Sequence, residues 1–188
     1  MAKISRTHQY ICPTNINGLR IYDNASTRTL KSGGNTGAKQ SAQNGNRPRR
    51  ITAQLGLRTT QPNSPLQQSY IACVVTDGYK TLRASAPLGN RTAELAGLMV
   101  WKLMLACVKP NSKDIEHVVH LYSDKVCDIK NPPAFSDKLE AHLRDILLKT
   151  ASISKLTIER SSAGSADLDA LLKSANRTDK HFCEITAP

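Results

Sequence analysis

What this chain has little of narrows it first. Aromatic residues are 4% of its 188 residues, with a single Trp, so aliphatic side chains must build the core. No apolar run approaches the roughly 20 residues of a membrane span, and the start, MAKISRTHQY, carries charges without the apolar stretch of a secretory signal. The expectation is a soluble, non-secreted chain with no membrane partner. The five cysteines, Cys12, Cys73, Cys107, Cys127 and Cys183, are odd in number and lack the CxxC spacing of a zinc site. That usage points to a reducing intracellular compartment, cytoplasmic or nuclear, with the thiols acting as small buried apolar groups. His117 and His120, three apart on a strand pattern, face opposite sides and make a poor metal pair. Acid is nearly missing from the first third: ten Lys and Arg over residues 1–69 meet one acid, Asp23, whereas the remainder has sixteen bases against fourteen acids. Most of the formal charge of +11 therefore sits at one end. Such asymmetry suits a polyanion partner, nucleic acid first, with a merely solvated basic tail as the plainer reading.

With 39% hydrophobic residues the chain can fill one core of ordinary size. Residues 18–26, GLRIYDNAS, read as a short strand closed by turn residues. Residues 27–68 are rich in Gly, Asn, Gln, Ser and Arg without a sustained period and read as a flexible basic insertion, in which only ITAQLGL, at 51–57, could pair as a short strand. SYIACVVT (69–76) and YKTLRASA (79–86) flank the turn formers Asp77-Gly78 and form a β-hairpin. Asn90 can cap a helix over 91–108 that is apolar almost all round, with Glu94 and Lys102 its charges beyond the first residue. A buried strand over 117–123 ends at Asp124, an amphipathic helix spans 136–150, a strand covers 154–160, and ADLDALLKSANR closes as a helix. Residues 1–17 are an extension and 177–188 a tail. The order implies an α/β fold, a mixed sheet of five strands flanked by helices.

Four carboxylates stand out from this framework. Asp23 ends the first strand, Glu94 opens the apolar helix, Asp124 ends a strand, and Asp169 lies in the last helix, where Asp167 competes for the same role. A carboxylate in an apolar element must be paired, protonated or bound to a cation, and four meeting at one place would hold hard divalent ions. Separately, each has an ordinary use, Glu94 at a helix N-terminus and Asp124 as a cap. Asp77 is read as a hairpin-turn residue.

The runs IYDNAS (21–26), TAEL (92–95), LYSD (121–124) and ADLDALL (166–172), in this order, resemble the ribonuclease H family over most of residues 18–176. The family's opening acid stands two residues before a Ser, where this chain has Asn24, with Asp23 one step earlier. The resemblance implies an RNase H-like fold and endonucleolytic hydrolysis of the RNA strand of RNA–DNA hybrids. It further implies Mg²⁺ or Mn²⁺ held by Asp23, Glu94, Asp124 and Asp169. Contacts to the hybrid would come from Asn24, Asn90 and Arg91 near the minor groove, and from Arg47, Arg49, Arg50 and Arg58 to phosphates. The alternative is a catalytically degenerate fold of the same kind, kept as a nucleic-acid-binding or ribonucleoprotein assembly module.

Overall fold

In the computed structural model, which describes residues 49–186 apart from 63, 109–114 and 163–164 and gives the backbone alone at Arg49, the sheet is organised around a strand from the segment expected to be an insertion. That strand, β1 (Arg49–Thr60), alternates Ile51, Ala53, Leu55 and Leu57 on one face, all buried. It lies between β2 (Gln68–Thr76), antiparallel to it, and β4 (Ile115–Leu121), parallel to it. β3 (Thr81–Gly89) continues outward from β2, and β5 (Lys155–Arg160) pairs in parallel with β4. A last strand, β6 (Phe182–Thr186), adds antiparallel to β3 and gives the order β5-β4-β1-β2-β3-β6.

The mixed sheet flanked by helices is as expected, with two corrections. The short strand allowed at 51–57 within the insertion is a long one spanning residues 49–60, and the described residues hold six strands rather than five because residues 182–186, taken for a tail, complete the β3 edge. The expected first strand at 18–26 and the rest of the insertion up to residue 48 lie outside the described residues.

One face of the sheet carries α1 (Ala93–Cys107) and α2 (Asp137–Thr150), and the other carries α3 (Ala166–Thr178). Leu98, Val100, Trp101 and Met104 of α1 are all essentially inaccessible, each removal from water contributing roughly 1.5–3 kcal/mol. The helix starts two residues later than expected: Thr92, not Asn90, is its N-cap, its hydroxyl accepting from the Leu95 amide at 3.3 Å. Asn90 instead reaches back, its Nδ2 donating to the Pro65 carbonyl at 3.3 Å. Lys102, the unexpected cation in this apolar helix, pairs with Asp145 of α2 at 2.8 Å and, as the largest cause, holds that carboxyl below its ordinary range.

Two side chains of α1 fix the turn that follows β4. Gly97 has no Cβ, and one placed there would lie 2.1 Å from the Lys125 carbonyl oxygen. One turn on, the Trp101 indole Nε1 donates to the Cys127 carbonyl at 2.8 Å. Backbone cannot move aside as a flexible side-chain end can, so Gly97→Ala is expected to cost about 1–3 kcal/mol, as overpacking does. An unchanged denaturation midpoint would contradict this packing.

His117 on β4 is 3% exposed, with Nδ1 against the Ile115 carbonyl at 3.3 Å and Nε2 without a partner among the described residues. Burial holds its pKa below the ordinary 6.5, the Ile115 contact opposing this in part. The unfolded chain therefore binds the proton first as pH falls, and stability present above about 6.5 is lost through that value toward the lower folded one. Equilibrium unfolding across this window is expected to show the decline, and His117→Leu to flatten it; equal slopes would rule out His117 as the source.

Candidate functional site

Because Glu94 and Gly97 are three residues apart, they share a face of α1, so the approach of Gly97 to the 123–127 turn carries Glu94 toward Asp124. Both acids line one hollow of about 470 Å³, together with Lys125, Cys127, Asp128, Phe135 and Arg160. Arg160 arrives there from the end of β5, level with Leu121. The other walls come from the 126–136 segment and from Leu139 of α2. Cys127 is not a reactive thiol, since burial, followed by the charge of Asp128, pushes its pKa up to about 11.

The sequence argument had these acids in apolar surroundings, where ionisation demands a partner. The structure corrects that premise: Glu94 and Asp169 are exposed, and the Asp124 side chain is 83% exposed, 3.9 Å from Lys125. Each stands at an element's end, where an apolar segment emerges into water, so ionisation carries no desolvation penalty needing a metal. A pair as open as Asp124–Lys125 contributes little.

Asp169 lines a second hollow, of about 170 Å³, on the α3 face, with Gly56, Arg58, Tyr122, Ser165 and Lys173. Its rival Asp167 is engaged elsewhere, in an ion pair with Arg83 at 2.9 Å. Asp77 is a turn residue as expected, its carboxylate accepting from the amides of Tyr79 and Lys80 at 2.9 and 2.8 Å. His117 and His120 do face opposite sides of β4; His120 lies 3.3 Å from Glu159. Asp23, Asn24 and Arg47 lie outside the described residues, as does the side chain of Arg49. Arg50 is exposed, 3.9 Å from Glu116. Arg91 is also exposed, and its carbonyl accepts from the side chains of Gln67 and Ser69, which ties the β1–β2 loop to the start of α1.

The donor set for a pair of hard ions can now be tested against these positions. In this sheet the residue beside the end of β4 comes from β1: Leu55 pairs with Leu121, and the Leu55 carbonyl accepts from the Tyr122 amide at 2.9 Å. Leu55 packs in the core cluster under α1, the helix that bears Glu94, and is fully buried. β1, RRITAQLGLRTT, holds no acid anywhere. Among the described residues no three His, Cys, Asp or Glu side chains group closely enough to hold a metal ion. Glu94 and Asp124 alone do not fit a two-ion site.

Several residues at these hollows were not singled out from sequence. Arg160 could have been, because a period of two from Leu156 and Ile158 puts it on their face. Lys125, Tyr122 and Lys173 carried no signal of their own.

No family model and no curated protein matches the chain. Solved structures do. The RNase H1 of the halophilic archaeon Halobacterium salinarum NRC-1 superposes with a TM-score of 0.50 at 12% identity, over 68% of this chain and 98% of that one. LC9-RNase H1, described as a type 1 RNase H with the type 2 active-site motif, gives 0.51 at 8% identity, over 76% and 79%. The native prototype foamy virus protease-reverse transcriptase gives 0.52 at 16% identity, over 71% of this chain and 21% of that longer one. At such identities the likeness speaks for backbone arrangement and nothing finer: this chain has an RNase H-like fold.

Proposed function

We propose that the chain is a nucleic-acid-binding protein built on the RNase H-like fold, and that its described domain does not by itself assemble a two-metal hydrolytic site. The observation that carries this reading is β1, the strand beside β4, which has no acid along its length and turns buried Ile51, Ala53, Leu55 and Leu57 to the face that α1 covers. Lys125 and Arg160 at the larger hollow, with Arg91 before α1 and Arg50 on β1, are exposed cations that can engage phosphates. Arg47 and Arg49, in the basic first third of the chain, would extend the same footing. Contacts of this sort fix position and supply affinity without sequence information, and they weaken with salt as counterions compete.

Hydrolysis of the RNA strand of an RNA–DNA hybrid with Mg²⁺ or Mn²⁺ is the second reading, favoured by the meeting of Glu94 and Asp124 at one hollow. It requires a carboxylate from outside the described residues, for which Asp23 is the candidate, and Asp169 as a further ligand. One experiment separates the two: a labelled hybrid is incubated with the full chain in Mg²⁺ or Mn²⁺, beside Glu94→Gln and Asp23→Asn. The binding reading expects a retained duplex, insensitive to chelator, with an affinity slope against salt of about −0.9 per phosphate contacted. It expects no product above that of Glu94→Gln. Product that vanishes in both variants would replace binding by hydrolysis, and failure to retain any duplex at low salt would remove both readings.

A further inference from the structure

Tyr122, Ser123 and Asp124 leave β4 as three consecutive residues, and they divide two hollows. Asp124 belongs to the larger one beside α1, and Tyr122 to the smaller one beside α3. The smaller hollow combines three features. Arg58 of β1 and Lys173 of α3 both border it, both are exposed, and neither makes an ion pair with a described residue. Tyr122, half-buried, with its ring packed against the α3-face core and its centroid 6.4 Å from that of His120, lines the same hollow. Finally, Gly56 lets α3 press down onto β1: Leu168 and Leu172 fill the space a side chain there would take, and they give the hollow an apolar floor.

Two cations with no ion pair among the described residues, sharing a hollow of about 170 Å³ with an aromatic ring, match the chemistry of a nucleotide, an anionic phosphate joined to a flat base. The mixed lining favours a single strand over a duplex: stacking on Tyr122 needs a base free of its partner, and Asp169 at the rim can accept from a sugar hydroxyl or base amino group. We infer that the Arg58–Tyr122–Lys173 hollow is a subsite for a single-stranded extension of a nucleic acid whose duplex part engages the larger hollow. The inference rests on the binding role given above and deepens it.

The test uses the full chain and two fluorescently labelled hybrids, one blunt and one carrying a short single-stranded extension, followed by anisotropy. The extension is expected to tighten binding by about tenfold, the order that one stacked base supplies. Tyr122→Ala should abolish that gain while leaving the blunt duplex unaffected, and Tyr122→Phe should keep it, which separates stacking from a general loss of fold. Replacing Arg58 and Lys173 together by Ala should lower the salt slope for the extended ligand by about 1.4, at 0.7 per phosphate contact on a single strand. Equal affinities of the wild-type chain for the two hybrids would overturn the subsite and leave the duplex-binding role standing. So would a gain that survives Tyr122→Ala. If neither hybrid binds, the subsite falls with the function on which it rests.

Discussion

The closeness of α1 to the turn after β4 is the constraint on which the rest of the site depends. It exists because residue 97 has no side chain: any Cβ there would run into the Lys125 carbonyl. Trp101, one turn further along the same face, then holds the Cys127 carbonyl with its indole N–H, satisfying a buried polar atom and pinning the turn at a second point. Glu94 projects from the same face at the helix start, so its place beside Asp124 follows from packing rather than from any attraction between the two acids. Both acids are exposed to water, which screens any repulsion across the hollow they share.

That same core determines what the site can hold. β1 threads between β2 and β4 with Ile51, Ala53, Leu55 and Leu57 turned toward α1. A carboxylate on this face of β1 would be buried in the cluster, and its ionisation there would have to be offset by a bound cation. Aliphatic side chains remove that demand and strengthen the core. Among the described residues no three ligating side chains then come together, which is less than two-metal hydrolysis requires.

Much of the fold was legible in the sequence, because its elements carry strong local signals. The hairpin around Asp77-Gly78 has a turn dipeptide between β-branched runs, α1 is apolar over four turns, and α3 has Ser165 as its cap, accepting from the Leu168 amide. β6 escaped for a physical reason: it is five residues at a sheet edge, too short to show a period, and it is held by the register of β3. β1 was legible only over 51–57, where Ile51, Ala53, Leu55 and Leu57 alternate, because its polar ends carry no strand signal. Glu94 and Asp124, which line one hollow, were singled out by their place at element ends. Tyr122, Lys125 and Arg160 come to these hollows only through neighbours that the fold supplies, and a single sequence does not carry that information.

With no acid on β1, the described residues offer no full set of metal ligands. Titration of Mn²⁺ into the full chain, followed by the electron paramagnetic resonance of the free ion, tests this without reference to any activity. Two exposed carboxylates are expected to hold the ion only weakly, at about millimolar, and Asp23→Asn is expected to change nothing. Tight binding of two ions per chain, lost in Asp23→Asn as well as in Glu94→Gln, would contradict the account.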